Sequence, residues 1–451
     1  MHEQMDKPTL IEAVRRAGIV GQGGAGFPAH VKYDTAVDTV IANGCECEPL
    51  LYTDQHVMAN QALLIIEALR AIVTAVGAKR GVVAIKKKYV RVAEILDRAM
   101  AGTGLELYGL DNFYPAGDEQ ILVHEVTGAT IPPLGLPKDV GVVVANVGTL
   151  ASVGEALAGK AVTTKVLTVT GEVAHPAIIS APLGTSISEC VDKCGGVKVD
   201  DPVYILGGPM MGTFLDTREA LENAVVTKTT GGVIVLPQGH YLHEQATLDP
   251  LVMQRRAATA CIQCRYCTDL CPRFLIGQQF NTHKVMRAFS SGLDTAMGAM
   301  QAFMCCECGV CELFACPMRL SPRRINALFK KQFGQQGVKY EGPREISSCR
   351  ETLRPYRKVP VPRLAVKIGI DGYMNLHPEY DGEIVPQKVR IPLRQHIGAP
   401  AQPIVKVGDR VKIGDVLGEI PEKALGARVH ASISGLVTEV GPSITIEGDA
   451  G

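Results

Sequence analysis

Apolar residues in the first third of the chain follow two alternating patterns. Helical spacing of apolar positions occurs over residues 9–17, 61–75 and 150–158. Short, continuous apolar runs, each typical of a buried strand, occur over residues 39–42, 81–85 and 139–146. Continuous apolar strands between helices indicate a largely parallel sheet with both faces covered. Residues 1–160 are therefore predicted to form an α/β domain.

The pattern changes after residue 160. Residues 164–171 alternate apolar and polar positions and end in a glycine turn, and a short helix and a strand follow. This indicates a small α+β module within residues 161–240. Residues 250–335 have helical patterns around cysteine-rich loops. Residues 336–375 are rich in Pro and Arg and are predicted to be a linker.

Short strands separated by Gly-Asp turns fill the last segment, residues 376–451. Such a run predicts an all-β barrel or sandwich, and it resembles the barrel of biotinyl and lipoyl domains. Those domains carry a modified lysine at the tip of a hairpin. Here Lys423 lies near that place but one residue out of register. A structural or docking barrel is therefore favoured over a lysine-borne swinging arm.

Composition narrows the classes of function. The 451 residues have room for two to four domains, and 46 Lys and Arg balance 46 Asp and Glu. A net charge of zero, no Trp and 5% aromatic residues argue against nucleic-acid binding and against a lipid surface. The longest uncharged apolar stretch, residues 140–154, is too short and too polar to span a bilayer. Without a signal-peptide pattern, we expect a soluble, cytoplasmic protein with reduced cysteines.

The strongest chemical motif is a pair of cysteine runs. The first has the ferredoxin spacing C-x2-C-x2-C-x3-C-P and the second is a close variant of it. Two such runs predict two [4Fe–4S] clusters, and the fourth cysteine of each run ligates the other cluster. We therefore assign to cluster I the ligands Cys261, Cys264, Cys267 and Cys316. To cluster II we assign Cys271, Cys305, Cys308 and Cys311.

Zinc sites and disulfides explain these cysteines less well. Zinc sites use C-x2-C pairs separated by a long gap, and disulfides are rare in a reducing compartment. The second run departs from the ferredoxin pattern in two ways. Four residues separate Cys311 from Cys316, and the extra Cys306 competes as a ligand. Among the other cysteines, Cys190 and Cys194 are predicted to be a buried or helix-face pair.

A second motif is the glycine-rich segment 21–28, Gly-Gln-Gly-Gly-Ala-Gly-Phe-Pro. Clustered glycines let backbone N–H groups approach an anion closely, and Lys32 supplies a positive charge nearby. The segment fits neither G-x-G-x-x-G nor a P-loop, and a simple tight turn is the competing interpretation. Glu46 and Glu48 are either a solvated turn or acceptors for the donors of a flavin ring or ribose. Periodicity alone leaves both interpretations open.

Several segments occur in the order of a known fold. They are residues 21–28, residues 43–49 (Asn-Gly-Cys-Glu-Cys-Glu-Pro), residues 114–119 (Tyr-Pro-Ala-Gly-Asp-Glu) and residues 131–148. The sequence resembles the FMN-binding fold shared by the flavin subunit of respiratory complex I and the C subunit of Rnf-type ferredoxin:NAD oxidoreductases. The resemblance continues through a β-grasp ligand-binding module into the two-cluster segment. It implies a multidomain α/β protein with a C-terminal barrel-sandwich hybrid.

The same resemblance implies a flavin site and a dinucleotide site. FMN would be bound by Gly21, Gly23, Gly24, Lys32, Asn43, Glu46, Gly117, Asp118 and Asn146. NADH would lie over the flavin, against Phe27, Glu48 and Tyr114. The chain departs from the complex I pattern at Cys45, where that family has Asp, and at Asp118, where it has Glu. No side-chain general acid or nucleophile is expected.

The barrel follows the clusters here, whereas it leads the chain in Rnf subunits. This order resembles the cobalamin reductases of propanediol-utilization microcompartments. That resemblance implies an enzyme that passes electrons from NADH through FMN and two [4Fe–4S] clusters to cob(III)alamin or cob(II)alamin, which reactivates the corrinoid cofactor of diol dehydratase. It also implies a place inside a bacterial microcompartment, with an adenosyltransferase and a shell protein as partners. The competing interpretations are an Rnf-type subunit of a membrane complex and a non-enzymatic electron-transfer adaptor docked to a shell protein.

Overall fold

The computed structural model describes residues 6–293, 297–347 and 353–449. Cys349 and part of the predicted linker lie outside these ranges. In the first domain the helices are α1 (Lys7–Arg16), α2 (Ala29–Tyr33), α3 (Thr53–Asn60), α4 (Ala62–Ala75), α5 (Val90–Met100), α6 (Glu119–Thr127) and α7 (Val147–Leu157). The strands are β1 (Thr39–Gly44), β2 (Arg80–Lys86), β3 (Glu106–Leu110), β4 (Phe113–Tyr114) and β5 (Val142–Asn146), and a 3-10 helix spans Pro137–Val140.

Strands β3, β2, β1 and β5 form, in that order, a parallel sheet that is buried on both faces. In β1, Val40 and Ala42 pack on the side of α1, α4 and α7, whereas Ile41 packs on the side of α6. The alternation follows from the two-residue repeat of a strand. Each fully buried Val or Ile stabilises the fold by roughly 1.5–3 kcal/mol. The predicted parallel, doubly covered sheet is confirmed.

Within the described ranges, no single helix has the length and apolar character to cross a membrane. Helices α3 and α4 reach that length and composition only as a pair, and a bend of 88° separates them. Ile65, Leu69 and Ile72 of α4 are buried in the core of the first domain.

The second domain contributes five strands to a mixed six-stranded sheet, and the sixth strand comes from the C-terminal region. The elements of the second domain are β6 (Thr164–Gly171), β7 (Ala177–Pro182), α8 (Ile187–Lys193), β8 (Pro202–Leu206), β9 (Thr213–Leu215), α9 (Arg218–Glu222) and β10 (Gly232–Pro237). Ser186 and Glu189 form a capping box that begins α8. This helix buries Cys190, and Cys194 is buried at its C-cap. The prediction of a buried cysteine pair is therefore confirmed.

The cysteine-rich segment is a set of short helices around two loops. They are α10 (Tyr241–Thr247), α11 (Pro250–Ala260), α12 (Tyr266–Asp269), α13 (Pro272–Leu275), α14 (Thr282–Ser290), α15 (Met297–Met300), a 3-10 helix (Gln301–Met304), a π-helix (Val310–Ala315) and α16 (Pro322–Gln335). Phe329 and Phe333 of α16 stack on each other and pack with Phe274 and Phe280 in one apolar core. Because this core lies beside the loops, it holds them at fixed positions.

The segment predicted as a linker contains folded structure. Its described part includes α17 (Arg354–Arg357), β11 (Val359–Pro360), α18 (Val361–Ile368) and a 3-10 helix (Asp371–Tyr373). Strand β11 pairs antiparallel with β4 of the first domain. Leu364 and Ile368 of α18 are fully buried. The prolines begin α17 and α18, where proline is tolerated because the first N–H groups of a helix have no partner within it.

The C-terminal region is all-β. Its strands are β12 (Glu379–Glu383), β13 (Lys388–Pro392), β14 (Gln402–Pro403), β15 (Arg410–Val411), β16 (Val416–Glu419), β17 (Val429–His430), β18 (Gly435–Val440) and β19 (Ser443–Gly448). Strand β12 leaves this region and extends the sheet of the second domain by pairing in parallel with β7. The others form a four-stranded and a three-stranded sheet around one apolar core. Lys423 lies on an exposed turn with φ 59°.

Candidate functional site

The candidate site lies at the carboxyl ends of β1 and β5. The chain moves from β1 outward to β2 and β3 and then returns to β5 on the opposite side of β1. In open α/β sheets, ligands bind outside the carboxyl ends of the strands at such a reversal. Asn43 of β1 and Asn146 of β5 are register partners there. The topology therefore brings together two residues that lie far apart in the sequence.

The glycine-rich loop lies directly over Asn146. A Cβ atom on Gly23 would lie 3.1 Å from Asn146 Nδ2, whereas a Cβ atom on Gly24 would meet nothing within 4 Å. The backbone N–H of Gly21 donates to Phe27 O at 2.9 Å and closes the loop. Among the described residues, the N–H groups of Gly23 and Gly24 have no hydrogen-bond acceptor. Unpaired N–H groups on an exposed glycine loop fit a phosphate group.

Two asparagines connect the loops around this site. Asn43 Nδ2 donates to Gly117 O at 2.9 Å, and Asn43 Oδ1 accepts from the N–H of Cys45 at 3.1 Å. A Cβ atom on Gly117 would lie 2.4 Å from Cys45 O, so this close approach requires glycine. Asn146 Oδ1 caps α7 through the N–H of Gly148 at 2.8 Å. Both side chains thus hold loop backbone at the carboxyl edge of the sheet.

Sequence reasoning missed several charged residues at this edge. Asn146 Nδ2 donates to Asp54 Oδ2 at 2.8 Å. Lys165 Nζ donates to Gln22 Oε1 in the glycine loop, and burial lowers the pKa of Lys165 to about 8. Lys86 ends β2, is 2% exposed, and donates to Asn112 Oδ1 at 3.2 Å. Of these residues, Lys86 could have been identified from the sequence, because it is a charged residue at the end of an otherwise apolar strand.

The predicted flavin contacts Glu46 and Lys32 have protein partners in this structure. Glu46 Oε1 accepts from the N–H of Glu48 at 2.9 Å. Burial, and next the charge of Asp54, raise the pKa of Glu46 to about 8. Lys32 Nζ forms an ion pair with Glu119 Oε1 at 2.7 Å, and both side chains are partly exposed. Their roles toward FMN stay predictions.

The three residues predicted to face NADH have different surroundings. Phe27 is exposed at the edge of the glycine loop. The hydroxyl of Tyr114, which is 2% exposed, lies 2.8 Å from Cys308 O and 3.2 Å from Glu48 Oε1. Glu48 Oε2 accepts from the N–H of Met210 at 2.8 Å. Tyr114 and Glu48 therefore join the first two domains to the second cysteine run, and their contact with NADH stays a prediction.

The cysteines of cluster I lie around one small cavity. It is lined by thiols from both runs, namely Cys261, Cys264, Cys267 and Cys316. Gln263 Nε2 donates to Cys261 Sγ at 3.3 Å, and the N–H of Leu320 donates to Cys316 Sγ at 3.4 Å. Such donors stabilise thiolate sulfur around an iron–sulfur cluster. The structure thus places Cys316 beside the first triplet, as the crossed assignment requires.

The cysteines of cluster II are buried together. The thiols of Cys271, Cys305, Cys308 and Cys311 interact electrostatically with one another. Burial raises the pKa of Cys311, and next the charges of Cys305 and Cys271 raise it further. A buried group of thiols with raised pKa values is costly to ionise unless a metal compensates the charge. This arrangement fits a buried cluster.

Backbone geometry aligns the two runs residue by residue. Gln263 and Arg265 in the first run have φ 55° and 68°, and Glu307 and Gly309 in the second have φ 59° and 79°. Left-handed non-glycine residues cost roughly 1–2 kcal/mol each, so their recurrence at matching positions indicates one shared loop geometry. In this alignment Cys305, rather than Cys306, corresponds to the first ligand of the first run.

The extra residue between Cys311 and Cys316 is absorbed by the helix that contains Cys311. The matching helix of the first run is α12, with four residues, whereas the second run has the π-helix Val310–Ala315. Each hydrogen bond of a π-helix spans five residues instead of the four of an α-helix, so a π-turn accommodates an inserted residue. The departure from ferredoxin spacing therefore leaves Cys316 able to reach cluster I.

The cysteines assigned to cluster II lie on the side of the candidate flavin site, and Cys264, assigned to cluster I, lies at the surface. Arg273, two residues after Cys271, donates to Asp118 Oδ2 at 2.9 Å. Gln278 Nε2 donates to Gln120 Oε1 at 2.7 Å in the same region. In contrast, Cys264 is exposed. From the sheet edge outward, the cysteines assigned to cluster II therefore come first and those assigned to cluster I second.

Comparisons with known proteins agree with this architecture. Four family models match: the Nuo51 FMN-binding domain over residues 14–155, the SLBB domain over 166–214, the 4Fe-4S dicluster domain over 260–321, and the RnfC barrel sandwich hybrid domain over 381–450. Together with the geometry, they define a flavin and iron–sulfur oxidoreductase whose cofactors are FMN and two [4Fe–4S] clusters.

Curated relatives narrow the class further. The chain is 43% identical to the cobalamin reductase PduS of Citrobacter freundii over 440 residues, which cover 96% of this chain and 95% of that protein. It therefore belongs to the cobalamin reductase family. It is 35% identical to the C subunit of the Na(+)-translocating ferredoxin:NAD(+) oxidoreductase complex of Acetobacterium woodii over 277 residues, 60% of this chain and 59% of that protein. An NAD+-reducing [NiFe]-hydrogenase structure matches with 21% identity and a TM-score of 0.48, over 78% of this chain and 66% of that one.

Proposed function

We propose that this protein transfers electrons from NADH, through FMN, cluster II and cluster I in that order, to the cobalt of cobalamin. When bound, FMN exchanges electrons in pairs or singly and the clusters carry them singly, so the protein's task is to bind, orient and insulate these groups. Full-length similarity to a cobalamin reductase supports the acceptor. The observation that carries the order is the contact of the Tyr114 hydroxyl with Cys308 O at 2.8 Å.

The residues at the sheet edge bind and orient the flavin. The open N–H groups of Gly23 and Gly24 receive the phosphate. Asn43 holds the 43–48 and 114–119 loops at a fixed separation through Gly117 O. Lys86 and Lys165 place two largely buried cations beside the site. Their charges favour an anionic ligand in a region where the pKa of Glu46 is raised.

The acceptor approaches at cluster I. Cys264 is exposed, and so are Ile262 and Tyr266 beside it. A cavity of about 540 Å³ opens next to the loop that carries Cys316, and its lining includes Tyr241, Gln245, Arg256 and Arg319. Guanidinium and amide groups are suited to the phosphodiester and amide groups at the rim of cobalamin. We infer that part of the acceptor rests in this cavity.

The biological setting is part of the same proposal. Reduction of cobalamin would serve the reactivation of a diol dehydratase inside a microcompartment, with an adenosyltransferase as the protein that receives reduced cobalamin and a shell protein as the anchor. These partners rest on the family resemblance. The barrel, with Lys423 exposed on a turn, is the domain we assign to docking.

The test is anaerobic reduction of hydroxocobalamin by NADH, followed in the visible spectrum, with flavin and iron contents measured on the same sample. We expect NADH-dependent reduction that is lost in Cys264→Ser and strongly reduced in Glu46→Ala. Cys190→Ala, a buried cysteine remote from both runs, is the matched control and should retain activity. If NADH reduces the cofactors while cobalamin stays oxidised, the acceptor is wrong and an Rnf-type role is favoured.

A further inference from the structure

The junction between the flavin site and cluster II contains a buried arginine with unusual bonding. The Arg273 side chain is 8% exposed and that of Asp118 is 16% exposed. Arg273 Nη2 donates to Asp118 Oδ2 at 2.9 Å. Among the described residues, Arg273 Nη1 has no hydrogen-bond partner. A buried guanidinium normally has all its donors satisfied, so this one calls for an explanation.

The position of Arg273 provides that explanation. It follows Cys271 and Pro272 in the first turn of α13. Its charge interacts with the thiols of Cys306, Cys308 and Cys271. Two of these three are predicted ligands of cluster II. The arginine therefore bonds Asp118 of the flavin-site loop through one nitrogen, and it follows directly on the Cys271-Pro272 turn of the first cysteine run.

The consequence for electron transfer is electrostatic. Reduction of a [4Fe–4S] cluster by one electron adds one negative charge, and no bond forms or breaks. A positive charge nearby stabilises the reduced form, and in a buried site this effect is several times stronger than in water. Asp118, next to the arginine, acts in the opposite direction. The cation of the pair lies in α13, two residues after Cys271, and its anion caps the flavin-site helix α6.

We propose that Arg273 sets the reduction potential of cluster II, holding it less negative than it would otherwise be, and that Asp118 limits this effect while fixing the guanidinium in place. Arg273 thereby makes cluster II a better electron acceptor for a group bound at the sheet edge. The proposal rests on the assignment of Cys271 and Cys308 to cluster II. It does not depend on the identity of the final acceptor.

The test is a redox titration of the anaerobically purified holoprotein with dithionite, followed by electron paramagnetic resonance. The cluster II signal is identified as the one lost in Cys308→Ser. At the potential where wild-type cluster II is half reduced, Arg273→Gln should lower the ratio of reduced to oxidised cluster at least about tenfold, which is 59 mV for a one-electron couple. Arg273→Lys, which keeps the charge, should lie closer to wild type.

Asp118→Asn provides the opposite perturbation. Asparagine also caps helices well, so α6 should remain, while loss of the carboxylate should raise the same ratio. Arg255→Gln, at an exposed arginine of the same segment, is the control and should leave the ratio unchanged. An Arg273→Gln protein with full iron content and an unshifted potential would overturn the proposal. If Arg273→Gln loses iron, the potential of cluster II in Asp118→Asn is the deciding measurement. A potential in Asp118→Asn that is unshifted or more negative than in wild type would overturn the proposal.

Failure of this proposal is distinguishable from failure of the proposed function. A wild-type protein that does not reduce cobalamin contradicts the acceptor but leaves the potentials measurable. Unshifted potentials contradict the role of Arg273 but leave cobalamin reduction intact.

Discussion

The contact between Tyr114 and the second cysteine run can be tested by removing a single oxygen atom. In Tyr114→Phe the ring remains and the hydroxyl, 2.8 Å from Cys308 O and 3.2 Å from Glu48 Oε1, is lost. Because Tyr114 is 2% exposed, water cannot easily replace it. A buried polar group left without its partner costs about 1–3 kcal/mol. The local opening free energy of the loop around Cys308 should fall by that amount.

The assay is native-state hydrogen exchange of the anaerobic holoprotein, read at the amides of residues 306–311. A loss of about 1–3 kcal/mol corresponds to exchange about 5- to 150-fold faster. Tyr108→Phe is the matched control, because its hydroxyl donates to Glu125 O at 2.7 Å in the same domain. That variant should speed exchange near α6 but not at residues 306–311. Unchanged exchange at residues 306–311 in Tyr114→Phe would refute the view that this hydroxyl anchors the loop of cluster II.

Three further predictions address other parts of the protein. Gly24→Ala places a methyl group in open space, so the stability of the FMN-free protein to urea should be unchanged. The affinity for FMN should nevertheless fall at least about tenfold, because the methyl group keeps the phosphate from the loop. An unchanged affinity would argue against the phosphate site. Arg319→Ala should raise KM for cobalamin several-fold with NADH:ferricyanide activity unchanged, and an unchanged KM would exclude the 540 Å³ cavity as the acceptor site. Burial lowers the pKa of His430 to about 3. Below pH about 6.5 the unfolded chain therefore binds a proton on this histidine that the folded chain does not bind. As the pH falls through this range, the free energy of unfolding should decrease by about 1.4 kcal/mol per pH unit. His430→Gln should therefore lose less stability than wild type between pH 7 and pH 5 in urea unfolding, and an equal loss in both proteins would contradict this assignment.

The features that sequence reasoning predicted well are local or periodic. The apolar runs of β1, β2 and β5 are continuous because both faces of the sheet are buried, so they are readable without knowledge of the fold. The ferredoxin pattern predicts that Cys316 joins the first triplet; in the structure Cys316 lines the same cavity as Cys261, Cys264 and Cys267, and ligation of a cluster by these four stays a prediction. The glycine loop is likewise recognisable from its composition.

The features that were missed depend on partners distant in the chain. Helix α18 lies in a segment whose composition indicates a linker, and its burial depends on packing that the local sequence does not encode. Strand β12 joins the sheet of the second domain only because β7 has a free edge. The ion pair between Arg273 and Asp118 joins residues 155 positions apart, and neither residue belongs to a periodic pattern. Asp54 was missed for the same reason.

The order in which electrons pass from FMN to cluster II and then to cluster I can be tested by rapid-reaction spectroscopy of two variants. Anaerobic Cys264→Ser and Cys308→Ser proteins are mixed with NADH, and cluster reduction is followed by freeze-quench electron paramagnetic resonance. In Cys264→Ser, cluster II should still be reduced at the wild-type rate, but cobalamin should no longer be reduced. In Cys308→Ser, by contrast, the signal of cluster I should appear only slowly although flavin is reduced. Rapid reduction of cluster I in Cys308→Ser, with cluster II lost, would contradict the proposed order.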